Sequence, residues 1–298
     1  MIGARRVRHG PMTTSRPFTT LVTPEALARE RDSAWVIVDC RYDLKDAGAG
    51  RATYLAGHLP GAAYASLSHD LAATPDGTNG RHPLPSPEAM RATFGRLGIG
   101  QGTQVVAYDH DSGMFAARLW WMLRYMGHDA VAVLDGGFAR WTREGHPVET
   151  GDVAPAPVAF AGEPRPGWTR SAAEVLEVLG HPGTLLVDAR SPDRFAGENE
   201  TLDKAAGHIP GAVNHHFLTN VGPDGVFRSA DALRAGFART LGEPRPGDVI
   251  CYCGSGVTAC HNLLAMAHAG LDIAPLFVGS WSEWSADASR PREIGPSR

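Results

Sequence analysis

One cysteine in this sequence sits in surroundings that suit nucleophilic chemistry. Cys253 follows Val249-Ile-Cys-Tyr252, an apolar run of strand length, and precedes Gly254-Ser255-Gly256-Val257-Thr258-Ala259, which leads into a helical-looking stretch. Glycines at 254 and 256 let the backbone curl so that successive amides turn toward the sulfur, and a helix starting near Val257 and Thr258 adds positive potential there. Both effects favour the thiolate, which is the nucleophilic form. Ser255 brings a hydroxyl close enough to assist a leaving group. The other three cysteines, Cys40, Cys251 and Cys260, lie in apolar or helical-looking stretches, where free cysteine is expected to act as inert packing.

Spacing disfavours two neighbouring chemistries. A zinc site built from Cys251, Cys253, Cys260 and His261 lacks the paired C-x-x-C or spaced histidines of structural zinc, so no metal is expected. A cysteine phosphatase needs an arginine six residues after its nucleophile to hold phosphate, and that position is Ala259; without the cation, phosphoryl transfer loses its main charge stabilisation.

Positioning such a loop takes a strand before it and a helix after it, and the sequence supplies this unit twice. Trp35 to Arg41 matches Leu185 to Arg190, Gly57-His58-Leu-Pro60-Gly61-Ala62 matches Gly207-His208-Ile-Pro210-Gly211-Ala212, Val105 to Asp109 matches Val249 to Cys253, and Gly136 to Trp141 matches Gly279 to Trp284. Four blocks in one order at nearly constant spacing indicate a duplicated domain. Short buried strands alternating with helical stretches predict an α/β fold, each half a small parallel sheet flanked by helices. Helices are expected over Met114–Tyr125 and Val257–Ala269. The expected organisation is an arm over 1–17, a first domain over 18–150, a Pro-, Gly- and Ala-rich linker over 151–167 and a second domain over 168–298. Asp109 stands where the first half would carry its nucleophile, so that half is expected to be inactive. The Gly-His-x-Pro-Gly-Ala blocks read foremost as turns, with glycine for unusual φ and proline for fixed φ.

With 298 residues, 43% hydrophobic and 20% charged, the chain has the balance of a globular protein with two domains. A net charge of -4 argues against nucleic acid and anionic membranes as partners and leaves small molecules or proteins. No apolar stretch reaches membrane-span length, and the basic start lacks the apolar core of a signal peptide. An organellar transit peptide is disfavoured by Gly10 and Pro11, and Met12 is an alternative start. Four cysteines without an export signal point to a reducing, cytoplasmic setting.

The tandem halves, the Asp-x-Arg and Gly-His-Ile-Pro-Gly-Ala blocks and the Cys-Gly-Ser-Gly-Val-Thr-Ala loop resemble the two-domain rhodanese-like sulfurtransferases over roughly Phe18 to Arg292. The loop is similar to that of 3-mercaptopyruvate sulfurtransferases. The resemblance implies that only the second domain is catalytic. Cys253 would take sulfane sulfur as a persulfide and pass it to cyanide or a thiol such as glutathione or thioredoxin, with no cofactor. It implies further that Arg190 and Arg194 line the pocket and bind the anionic donor, and that Ser255 cooperates with a first-domain histidine, His58. Thiosulfate-specific members usually carry two basic residues where Gly254 and Ser255 stand. The lack of cations there is expected to favour mercaptopyruvate, with thiosulfate as the alternative donor. A non-enzymatic sulfur-binding or regulatory role is the other alternative. Relatives often have Asp-Gly-Ser-Trp where this chain has Val278-Gly279-Ser280-Trp281, which puts one local hydrogen bond in question.

Overall fold

The computed structural model describes residues 17–242 and 249–296. Most of the expected arm therefore lies outside the described residues, as do both readings of the chain start. Two five-stranded sheets form, each entirely parallel. The first contains β1 (Leu21–Val22), β2 (Val36–Asp39), β3 (Ala63–Tyr64), β4 (Val105–Tyr108) and β5 (Val131–Leu134), in the order β1-β5-β4-β2-β3. The second contains β6 (Thr169–Arg170), β7 (Leu185–Asp188), β8 (Val213–Asn214), β9 (Val249–Tyr252) and β10 (Leu276–Phe277), in the equivalent order β6-β10-β9-β7-β8. Every residue of β4, β5 and β9 is buried, as an apolar run covered by helices on both faces requires. The two-residue edge strands carry no hydrophobic pattern of their own; they are strands because the β2, β5, β7 and β10 ladders recruit them.

Asp188 pairs in register with Tyr252, so the segments that follow β7 and β9 emerge side by side at the carboxyl edge of the second sheet. Open parallel sheets place their sites at this edge. The helix Thr258–His268 begins five residues after Cys253, one residue inside the expected start. It packs against its first-half counterpart, Ala116–Tyr125. Leu119, Trp120, Trp121 and Leu123 from one half and Leu263, Leu264 and Met266 from the other share one contiguous apolar cluster. The halves therefore meet through core-like packing.

Residues 151–167 contain no helix or strand, but the segment is not a loose tether. Phe160 packs edge-on against Phe94 at 5.0 Å, and the amides of Val158 and Arg165 donate to the carbonyls of Gly95 and Tyr125. The segment is laced to the first half along its length.

Candidate active site

Cys253 lies at the end of β9 and is 1% exposed. Its own amide donates to Ser280 Oγ at 3.1 Å, and the same hydroxyl donates to the Phe277 carbonyl at 2.9 Å. The Cys253 and Gly254 carbonyls accept from the Trp281 and Ser282 amides, each at 2.9 Å. The carbonyls are thus tied back to the segment after β10. The amides of Gly254, Ser255, Gly256, Val257 and Thr258 have no acceptor among the described residues. Gly256 has φ +74, and a Cβ there would stand 2.3 Å from the Val278 carbonyl oxygen, so only glycine fits this bend. The residue that departs from the relatives' Asp-Gly-Ser-Trp is Val278, whose side chain can make no hydrogen bond, while the shared Ser280 supplies the contact to Cys253.

The first half shows what this loop does when an anion fills it. Asp109 is buried. Its Oδ1 accepts the Gly113 amide at 2.9 Å, and its Oδ2 accepts those of Phe115 and Ala116 at 2.7 and 3.1 Å. The carboxylate satisfies its own loop from within.

The other three cysteines are confirmed in apolar surroundings. Burial pushes the thiols of Cys251 and Cys260 up to about 12 and that of Cys40 well above its ordinary value. No group of three or more metal-ligating side chains occurs among the described residues.

Two of the expected site residues do other work. His58 is fully buried, its Nδ1 bonded to the Tyr54 carbonyl at 3.0 Å and its ring stacked on Tyr54, while its backbone pairs with Glu149. His208 repeats this arrangement on Phe195 and Glu293. Both histidines hold turns, and His58 is not the partner of Ser255. Arg190, 2% exposed, directs Nε and Nη2 at Asp188 and Nη2 also at the Gly207 carbonyl, and its Nη1 reaches Glu200 at 3.3 Å. Arg41 makes the same contacts with Asp39 and Gly57 in the half that carries Asp109 instead of Cys253. The Asp-x-Arg pair is therefore a strut of the fold.

The partner of Ser255 is His82. Its Nδ1 lies 2.8 Å from Ser255 Oγ. Burial first, then the charges of Arg118 and Arg81, hold the His82 pKa down to about 4, so its imidazole is neutral near pH 7. Arg118, fully buried on helix Ala116–Tyr125, donates from Nη1 to the Gly256 carbonyl at 2.8 Å and from Nη2 to the His82 carbonyl at 3.4 Å. It thereby braces the loop and the histidine together. In the opposite direction, His261 of helix Thr258–His268 bonds through Nε2 to the Ser112 carbonyl at 2.8 Å.

Cations do stand beside Cys253, although the loop itself carries none. A Cβ on Gly254 would lie 2.8 Å from Arg81 Nη2 and 3.5 Å from both terminal nitrogens of Arg194. Arg81 comes from the first half, so one guanidinium from each half hangs over the residue after Cys253. A cavity of about 410 Å³ lies against Arg81 and His82, bounded also by Tyr42, Leu202, Asp203 and Ser282 among others. Neither Arg81 nor His82 is found by comparing the repeats.

Comparison with known proteins agrees with this geometry. Residues 23–144 and 171–287 each match the rhodanese-like domain. The chain belongs to the rhodanese-like domain family. A probable 3-mercaptopyruvate sulfurtransferase from Pseudomonas aeruginosa is 42% identical over 92% of this chain and 98% of its own length. A putative thiosulfate sulfurtransferase, SseB, from Mycobacterium tuberculosis is likewise 42% identical, over 86% of this chain and 89% of its own. The crystal structure of SseA from Escherichia coli, described as a 3-mercaptopyruvate sulfotransferase, superposes with a TM-score of 0.77 at 32% identity, covering 89% of this chain and 100% of that one. This rhodanese-like chain is accordingly a sulfurtransferase, and the persulfide chemistry general to the family applies to it.

Proposed function

We propose that the chain transfers sulfur from 3-mercaptopyruvate, with Cys253 as the sole nucleophile, to cyanide or a thiol. The observation that carries this reading is the Ser255–His82 hydrogen bond of 2.8 Å beside the nucleophile. The two donors leave different products. Attack of the Cys253 thiolate on the sulfur of mercaptopyruvate breaks the C–S bond, and the electron pair departs as a pyruvate enolate that must gain a proton at carbon. Sulfite, the product from thiosulfate, leaves as a stable anion and needs no proton. A hydroxyl oriented by a neutral imidazole suits the first case: His82 Nδ1–H donates to Ser255 Oγ, and the hydroxyl proton is presented to the enolate oxygen as charge develops. The unengaged loop amides receive the new persulfide, whose outer sulfur then bonds to an acceptor thiolate as the Cys253 thiolate is released.

In this reading the second half, 168–298, is catalytic. The first half, 18–150, transfers no sulfur, because Asp109 cannot carry a persulfide and already fills its own loop, yet it lends Arg81, His82 and Arg118 to the cleft. Arg194 and Arg81 face the donor's carboxylate, a planar match for guanidinium. Gly254, Gly256, Val257 and Thr258 supply backbone amides. No cofactor is required. Thioredoxin is one candidate thiol acceptor. We place the activity in the cytoplasm, in keeping with four free cysteines and with the lack, among the described residues, of a helix long and apolar enough to cross a membrane.

Steady-state kinetics with both donors test the proposal. The unmodified enzyme should show the higher kcat/KM with mercaptopyruvate. Ser255→Ala should lower kcat with mercaptopyruvate by about 100-fold or more while changing thiosulfate turnover only a few-fold. Mass spectrometry after donor treatment should find one added sulfur, on the peptide bearing Cys253. Equal losses with both donors, or sulfur on Cys40 or Cys260, would refute the assignment.

A further inference from the structure

Two guanidiniums over a sulfur nucleophile ought to favour a dianionic donor such as thiosulfate, the opposite of the preference proposed above. The third member of the group resolves the conflict. The side chain of Asp203 is 2% exposed, and each of its oxygens is committed to one cation: Oδ1 to Arg81 Nη1 and Oδ2 to Arg194 Nη2, the latter at 2.9 Å. Glu200, equally buried, takes Arg194 at 2.9 Å and Arg190 at 3.3 Å, and Arg190 is paired with Asp188. Three guanidiniums thus face three carboxylates, and the wall beside Cys253 is close to neutral. Lys204, at the rim of the same cavity, is solvent-exposed, where water screens its charge.

We propose that Asp203 is a specificity-determining residue that bridges Arg81 and Arg194 and cancels their excess charge, restricting the cleft to donors with a single negative charge. It acts in two ways. It occupies the bridging position between the guanidiniums that a second anionic group on the donor would claim. It also places a fixed negative charge where a dianion would feel it about twice as strongly as a monoanion. Asp203 is the one carboxylate of the group that ties the two halves together at the cleft mouth, because Arg81 belongs to the first half and Asp203 to the second. The proposal rests on the reading of mercaptopyruvate as donor, but it can be tested without turnover.

The experiment measures binding of thiosulfate, a dianion, and pyruvate, a monoanion, to the intact Cys253→Ser protein by calorimetry. Adding Asp203→Asn keeps the side-chain shape and removes one charge, so the ratio of thiosulfate to pyruvate affinity should rise by about 10-fold or more. Adding Arg81→Met instead removes a cation and should lower the same ratio. The ratio in the Asp203→Asn background should also fall more steeply with added salt. If Asp203 only props the fold, both affinities will drop together with the ratio unchanged, and the proposal is overturned. Should Asp203→Asn fail to fold, Arg81→Met decides alone: an unchanged or increased ratio overturns the proposal. The donor reading is judged separately by turnover of the unmodified enzyme. A preference for thiosulfate there would reject that reading while leaving the binding ratios to decide the role of Asp203.

Discussion

Ser280 offers a test in which glycine should be more stabilising than alanine. It is the one non-glycine residue with positive φ among those described, at +55, and it is fully buried. Its hydroxyl takes the Cys253 amide and donates to the Phe277 carbonyl. Ser280→Ala leaves both backbone groups buried without that partner, at a cost of about 2–4 kcal/mol, and keeps a Cβ in the left-handed region. Ser280→Gly loses the same two bonds but sheds the left-handed penalty of roughly 1–2 kcal/mol, against about 0.5–1 kcal/mol of added chain entropy in the unfolded state. The glycine variant should therefore be the more stable by about 0.5–1 kcal/mol, a melting temperature higher by roughly 1–2 °C. Gly137 already holds φ +55 at the equivalent place in the first half, so the backbone accommodates glycine there. Thermal or urea unfolding of the two variants side by side reads the difference. If Ser280→Gly melts at or below Ser280→Ala, the strain argument is wrong.

Asp109→Ala should leave kcat/KM within about threefold, because the first-half loop takes no part in sulfur transfer, while lowering stability by about 2–4 kcal/mol as three buried amides lose their acceptor; a loss of activity like that of Cys253→Ser would show the division of labour to be misread. Arg118→Met keeps the buried stem but strips the Gly256 and His82 carbonyls of a donor, so it should cost about 2–4 kcal/mol and lower kcat more than it raises KM. Stability should also fall on acidification. His82 and His261 titrate at about 4 in the fold against an ordinary 6.5, so between these values the unfolded chain binds protons that the folded chain refuses. Each histidine should then remove roughly 1.4 kcal/mol per pH unit through that window, with no further loss from them below 4. A melting temperature that stays flat from pH 6.5 to 5, or a slope unchanged by His82→Gln, would contradict this.

The repeat made most of the fold legible, because a buried parallel strand announces itself by an apolar run and its position by recurrence. The same recurrence, used more strictly, would have corrected two site residues. Arg190 has a counterpart in Arg41 and His58 in His208, and what both halves share serves what both halves need, namely closing a turn and bracing a strand end. What differs between the halves serves the chemistry. Ser86 stands nine positions after Gly77, whereas Ser229 stands only four after Gly225, and the additional residues of the first half include Arg81 and His82. That unmatched stretch was the available signal. Nothing local in it marks a catalytic partner, because the histidine acquires its role only from a serine 173 residues away. Of the two guanidiniums beside Cys253, Arg194 comes from its own half and is named by the resemblance, whereas Arg81 arrives from across the interface, a long-range fact that no periodicity encodes.

The crossed contacts between the two central helices have the form of a self-complementary pair. Arg118 reaches Gly256, the third residue after Cys253, and His261 reaches Ser112, the third residue after Asp109, both at 2.8 Å. In an assembly of two identical copies about a twofold axis, such a contact would appear twice with the same residues. Here both strands of the exchange persist within one chain, but the side chains have diverged. The half that carries Cys253 receives a guanidinium behind its loop, and the half that carries Asp109 receives an imidazole that burial keeps neutral. Fusion into one polypeptide is what permits this asymmetry, since two separate identical subunits would have to carry the same residue on both sides. The half that carries Asp109 can thus specialise as a wall of the cleft.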